Sequence, residues 1–216
     1  MNNVNTPKPN FSLMLEKTIK ELEGKCPRPR LLLHACCAPC SSYVLEYLAE
    51  FFDITLFFYN PNISPREEYD FRADELRRLV SLMGLDTKVS IICEEYDSTP
   101  FDSMANGKEE LAEGGARCAD CYRLRLSRAA QVAAEGGFDY VTTTLSISPY
   151  KNATWLNTIG AEEAEKYGVK YLFSDFKKKN GYKRSCELSE KYDLYRQDYC
   201  GCIYSKIQSE RKKEQV

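Results

Sequence analysis

With 216 residues, 43% of them hydrophobic, 29% charged and 12% aromatic, the chain has the composition of one globular domain with a full core, which excludes disordered, collagenous and coiled-coil classes. Thirty Lys and Arg against 32 Asp and Glu give a formal charge of −2, so the balance advertises no nucleic-acid binder, although a local basic face would suffice for one. The anomaly is ten cysteines against a single histidine.

Met1 to Pro9 is polar and lacks an apolar leader core, and no window of 18 apolar residues follows, so the expected location is the cytoplasm with no membrane contact. In that reducing compartment, closely spaced cysteines bind metal or do redox chemistry more often than they form structural disulfides. Phe11, Met14, Leu15, Ile19 and Leu22 fall at helical spacing before Gly24. Leu31 to Leu33 reads as a buried strand, Ser41 to Phe52 as a helix and Ile54 to Tyr59 as a second strand. Ser64-Pro65 is expected to open the next helix, with Tyr69, Leu76, Leu79, Val80 and Met83 as its apolar stripe. Val89 to Ile92 is a third strand, Cys121 to Ala134 a helix and Tyr140 to Thr143 a fourth strand. Ala153 to Tyr167 is a helix, Lys170 to Phe173 a fifth strand and Leu188 to Tyr199 a last helical segment. Strands alternating with helices predict a single α/β domain with a doubly wound, mostly parallel sheet and a helical C-terminal part. Residues 1–10 and 210–216 are expected to be tails.

His34-Ala-Cys36-Cys37-Ala-Pro-Cys40 starts at the carboxyl end of the first strand, where open α/β sheets keep their ligand sites, and runs into a helix whose N-terminus favours thiolate over thiol. Cys118-Ala-Asp-Cys121 opens another helix and, beside Cys37-x-x-Cys40, makes a second pair at metal-ligand spacing. Spacing alone admits a four-thiolate zinc site, an iron-sulfur cluster or a metal-free thiol site. Five thiols in two loops exceed the four that a closed zinc site needs, and a strand-end crevice is no small zinc ribbon; both considerations favour iron-sulfur. Cys200-Gly-Cys202 reads either as a dithiol able to close to a strained, oxidising disulfide or as two buried thiols. Cys26, Cys93 and Cys186 are isolated and read as small core residues. His34 reads as a structural residue or a proton relay. No G-x-S-x-G, Walker loop or H-E-x-x-H occurs, and the loop after the first strand has no glycine to cradle a phosphate.

The motifs together carry a resemblance over almost the whole chain. Leu33-His34-Ala-Cys36-Cys37-Ala-Pro-Cys40, Tyr59-Asn-Pro-Asn62, Gly115-Ala-Arg117-Cys118-Ala-Asp-Cys121-Tyr-Arg123-Leu-Arg125, Thr142-Thr-Thr-Leu145-Ser-Ile-Ser148-Pro149 and Tyr195-Arg196-Gln197-Asp198-Tyr199-Cys200-Gly-Cys202 resemble the cobalamin-independent epoxyqueuosine reductase family QueH. The resemblance implies reduction of the epoxide of epoxyqueuosine, at the wobble position of tRNA, to give queuosine in the last step of its synthesis. It implies a domain similar to the PP-loop nucleotide-binding fold, and a [4Fe-4S] cluster held by Cys36, Cys37, Cys118 and Cys121. Cys40 would face one adjacent iron ion, and Cys200 and Cys202 would form a redox-active disulfide fed by an unidentified electron donor. Asp198, Tyr199 and Asp120 adjoin these thiols and are candidate proton donors, Asp198 first. For the tRNA, the candidates are Arg123, Arg125 and Arg128, Lys177 to Lys179, Lys183 and Arg184, with Tyr59, Tyr150 and Tyr199 to stack a base. The contrasting reading is a zinc-stabilised tRNA-binding module without redox activity.

Overall fold

The structure, a computed structural model, describes residues 9–214. Five parallel strands, β1 (Arg30–His34), β2 (Asp53–Phe58), β3 (Val89–Cys93), β4 (Tyr140–Thr143) and β5 (Lys170–Tyr171), form one sheet in the order β3-β2-β1-β4-β5. Parallel neighbours need crossovers, and helices supply them on both faces. Alternation within the strands sorts the core: Leu31 and Leu33 of β1, with Ile54, Leu56 and Phe58 of β2, pack under one helical layer. This layer contains α1 (Phe11–Leu22), α2 (Ala38–Leu48) and α3 (Arg66–Leu82). Leu32, Phe57 and Val141 point the other way, toward α5 (Ala116–Glu135) and α6 (Ala153–Tyr167). A short α4 (Thr99–Ala105), α7 (Gly181–Lys191) and α8 (Ile203–Glu214) complete the described helices, together with a 3-10 turn at Thr144–Ile147. The expected doubly wound parallel α/β fold is the one observed. No described helix is long and apolar enough to cross a membrane.

Several expected boundaries move, and each for a local reason. Helix α2 begins at Ala38, because Pro39 sits at the first turn where its missing N–H costs nothing. Helix α3 begins after Pro65, so Ser64 is outside it. Helix α5 begins at Ala116, which brings Cys118 as well as Cys121 onto the same helix. Strand β5 has only two residues. The expected helix Leu188 to Tyr199 is corrected: α7 ends at Lys191, Asp193 takes a positive φ of 48°, and an irregular arm follows. That arm gives its backbone to α3: Arg78 donates to the Tyr192 and Asp193 carbonyls at 3.2 and 2.6 Å, and the Tyr195 N–H donates to Glu75 at 2.8 Å. Helix α8 runs to Glu214, through most of the stretch expected as a tail, and Asn10 caps α1 by accepting from the Leu13 N–H at 3.1 Å. Residues 1–8 of the expected N-terminal tail and 215–216 lie outside the described residues.

The order of the strands sets the place of the site. The order in which strands are added to the sheet reverses between the parallel neighbours β1 and β4, which pair from Leu31 against Tyr140 to His34 against Thr143, and the loops leaving their carboxyl ends diverge to opposite faces. The crevice so opened is the usual ligand position of a doubly wound sheet.

Candidate thiol-lined active site

Three helix N-termini meet at that crevice, each carrying a cysteine. Cys37 is the N-cap of α2, Cys118 lies in the first turn of α5, and Cys202 directly precedes α8, where its sulfur accepts from the Ser205 N–H at 3.4 Å. Orphan N–H groups and the helix dipole make each place hospitable to a thiolate. The sulfurs of Cys36, Cys37 and Cys40 all lie within 4.8 Å of one another, with Cys36 donating to Cys37 at 3.7 Å. Cys37 is buried; Cys36 and Cys40 are half-buried. Within this trio Cys37 is the thiol most easily deprotonated. Hydrogen bonds from Cys36 and Cys40 hold it well below the ordinary thiol range, helped by the Arg72 guanidinium and Gln197. Cys36 is correspondingly pushed up to about 11, mainly by its hydrogen bond to Cys37.

A second group stands beside the first. Cys118, Cys121, Cys200 and Cys202 line one small pocket with Lys151, Arg117, Arg125 and Tyr122. Burial pushes the Cys121 thiol up to about 12 and also raises Cys202. The larger cavity, about 710 Å³, is bordered by Cys36, Cys40, Cys200, Glu113, Arg125 and Lys151, and its outer wall carries Tyr150, Tyr182, Arg196, Asp198 and Tyr199. Its size suits a nucleoside-sized ligand, since such sites span about 300–1,000 Å³. The structure thus brings together all seven clustered thiols, while Cys26, Cys93 and Cys186 stay apart; the expectation that these three are core residues is corrected, since Cys26 is exposed and Cys93 and Cys186 are half-buried, and all ten cysteines are thiols.

Residues that spacing did not single out complete the site. Arg72, Arg117 and Arg125 are among the largest fully buried side chains, and each leaves one nitrogen without a partner: Arg72 Nη2, Arg117 Nε and Arg125 Nη2. Arg125 borders both cavities, donating from Nε to the Cys121 carbonyl at 3.2 Å and from Nη1 to Asn60 Oδ1 at 3.4 Å. Buried guanidinium groups stay charged, so three of them with spare donors call for anionic partners. Thiolates, bare or holding a metal centre of net negative charge, answer that need, and soft sulfur donors suit iron or zinc. The donor set therefore fits a thiolate-held metal. Gly201 also has a reason to be glycine. Its φ is +125°, and a Cβ there would meet Ile63 at 3.0 Å and Arg72 Nη1 at 3.2 Å.

Other expectations are settled by contacts. His34 is fully buried with Nδ1 2.9 Å from Thr143 Oγ1 and Nε2 3.1 Å from the Tyr59 carbonyl, so both ring nitrogens are engaged in joining β1 to its neighbours. Burial lowers it to about 4, with Arg125 adding to the effect, and it is neutral. Asp198 lies on the cavity wall but is paired with Lys213 and half exposed, while Asp120 pairs with Lys108 at 2.7 Å. Of the basic clusters, only Arg125 is taken out of an RNA face, being buried; Arg123 is partly exposed and engaged by Glu162 and Glu163 at 2.8 and 2.6 Å. Arg128 pairs with Glu94, Lys177 with Asp175, Lys179 with Glu16, and Arg184 with Glu46 and Glu187. Lys178 and Lys183 remain exposed without an ion pair among the described residues. Tyr150 stands 82% exposed at the cavity rim and Tyr199 lines its wall, whereas Tyr59 stacks on Phe57 inside.

Known proteins share this pattern. A family profile described as epoxyqueuosine reductase QueH matches residues 31–208. An epoxyqueuosine reductase QueH from Streptococcus pyogenes serotype M1 is 46% identical over 198 residues, covering 91% of this chain and 78% of its own. A Staphylococcus epidermidis relative of the same name is 43% identical over 200 residues, 91% and 84% of the two chains. One from Thermotoga maritima is 34% identical over 186 residues, 86% and 95%.

Proposed function

This chain belongs to the epoxyqueuosine reductase QueH family, and we propose on that footing that its thiol-lined crevice removes the epoxide oxygen of epoxyqueuosine in tRNA, giving queuosine. Cys36, Cys37, Cys118 and Cys121 hold a [4Fe-4S] cluster, Cys40 takes one further iron ion beside it, and Cys200 with Cys202 is a dithiol that closes to a disulfide. Such a centre supplies one-electron transfer, and a sulfur-held iron supplies a Lewis acid for oxygen. Arg72, Arg117 and Arg125 balance the negative charge of the assembled thiolates with their unpartnered nitrogens. The cavity of about 710 Å³ receives the modified base, with Tyr150 and Tyr199 placed for stacking at its mouth.

The observation that carries the reading is the gathering of seven thiols around two cavities that share Arg125, Lys151 and Cys200. Reducing an epoxide to an alkene takes two electrons and two protons, and a single one-electron centre does not suffice. A dithiol on the same walls makes up the difference. A colourless, zinc-stabilised binding module would need only four of these thiols and no redox pair.

Nucleoside analysis of tRNA tests the reading in cells that have no second reductase. Deleting the protein should leave epoxyqueuosine in place of queuosine, and the wild-type protein but not Cys118→Ala should restore it. Undiminished queuosine in the deletion strain would overturn the assignment.

A further inference from the structure

Lys151 lies on the loop between the 3-10 turn and α6, and its side chain is only 8% exposed. Its Nζ donates to Cys200 Sγ at 2.9 Å, while the nearest carboxylate, Glu113, is 3.6 Å away. Lys151 borders both the small thiol pocket and the large cavity. The other ionisable groups lining the small pocket with it are Cys118, Cys121 and Cys202, the last two raised by burial, Tyr122, whose phenol burial keeps neutral, Arg117, and Arg125, which keeps its charge. Cys200 is thus the nearest partner of a buried ammonium, closer than the Glu113 carboxylate. Burial alone would drive the proton off this lysine, and the neighbouring Cys200 outweighs it, holding the group well above the ordinary lysine range.

That dependence has a chemical consequence once Cys200 is oxidised. A disulfide sulfur carries no charge, so closing the Cys200–Cys202 bond removes the nearer of the groups that keep Lys151 protonated, and leaves a desolvated ammonium facing the large cavity with Glu113 at 3.6 Å as its remaining carboxylate. We propose that Lys151 is the proton donor to the oxygen leaving the epoxide, and that oxidation of Cys200 is what releases its proton.

The balance closes within the chain. Cys200 as thiolate and Cys202 as thiol lose two electrons and form one S–S bond, with the Cys202 proton set free. The substrate gains those two electrons, loses both epoxide C–O bonds and forms the C=C bond. The departing oxygen takes one proton from Cys202 and one from Lys151 and leaves as water. Thiolate and ammonium both end neutral, so neither member of the pair is left as an uncompensated buried charge. Cys202 suits its part, since burial raises its thiol and keeps the proton on it beforehand. Asp198 and Asp120, committed to Lys213 and Lys108, are not needed.

This inference rests on the dithiol reading above, and the experiment separates the two. Reduced, iron-loaded protein is mixed anaerobically with tRNA carrying epoxyqueuosine, without external reductant, and queuosine and free thiols are followed through one turnover. Queuosine formed without loss of two thiols at Cys200 and Cys202 would refute the dithiol reading itself. With that loss established, Lys151→Ala should slow the single turnover by about 10²–10⁴-fold, the range of a general acid, while tRNA binding and iron content are retained. Small primary alkylamines should restore it, with a rate that depends on amine acidity. Lys151→Arg settles a structural role: it keeps the charge and the contact but cannot give up a proton, so it should be as slow as the alanine variant. An arginine variant, or an alanine variant without amine, turning over at the wild-type rate would overturn the proposal.

Discussion

Arg72 Nη1 donates to the Cys200 carbonyl at 3.3 Å, joining α3 to the C-x-C loop across 128 residues of chain. The same guanidinium holds Glu68 at 2.7 Å through Nε and stacks over the Tyr199 ring at 5.2 Å. Its side chain is 2% exposed and that of Glu68 15%, so removing the cation strands a poorly solvated carboxylate. Arg72→Met should destabilise the protein by about 3 kcal/mol, read from urea unfolding, and should speed alkylation of Cys200 by freeing its loop. Arg72→Lys should restore little, because an ammonium cannot span both partners.

Gly201 should tolerate no side chain. Gly201→Ala places a Cβ at a φ of +125° and against Ile63 and Arg72, so the loop must move and the Cys200–Lys151 contact of 2.9 Å must lengthen. The expected result is a destabilisation of about 1–3 kcal/mol with slower closure of the Cys200–Cys202 disulfide, measured by thermal melting and by mass analysis of oxidised protein.

The stability of the α5–α6 layer should depend on pH through Glu163. Burial works against its charge, but Lys166 at 2.7 Å and Arg123 at 2.6 Å outweigh it and hold the carboxyl below its ordinary 4.5. A folded value below the unfolded one means that the stabilisation is fully present above about pH 4.5 and is lost as pH falls through the folded value. Glu163→Gln should therefore cost about 1 kcal/mol at pH 7, with the difference from wild type shrinking below pH 4.5. A gap independent of pH would contradict the pairing.

Binding of tRNA should separate exposed residues from paired ones. Tyr150→Ala should weaken it by about 1–3 kcal/mol if the ring stacks a base at the cavity mouth, measured by filter binding. Arg123→Ala should leave the slope of affinity against salt unchanged, because Glu162 and Glu163 already occupy that cation. A reduced slope would return Arg123 to the RNA face.

Much of the fold was legible because its signals are local. Leu31 to Leu33 is a short apolar run that suits a strand buried on both faces, and the alternation of such runs with helical stripes points to a parallel sheet. The arm from Tyr192 to Tyr199 reads as helix in sequence because its tyrosines mimic an apolar stripe, while the contacts that fix it come from Glu75 and Arg78 of α3, more than 100 residues away. At the site, cysteine spacing pointed to the thiols. Arg72, Arg125 and Lys151 were missed as thiol partners because a buried cation looks like any surface cation in sequence, and only the fold reveals what it faces. The one available signal was the position of Arg125 inside the motif Cys118-x-x-Cys121-Tyr-Arg-Leu-Arg125.

The most direct measurement is anaerobic incubation of the reduced protein with tRNA carrying epoxyqueuosine, followed by nucleoside analysis against iron and sulfide content. The account predicts a brown protein that bleaches on reduction and converts epoxyqueuosine to queuosine, and a Cys118→Ala variant that loses both iron and conversion. A colourless protein with stoichiometric zinc, or an iron-replete protein that leaves epoxyqueuosine untouched, would contradict it.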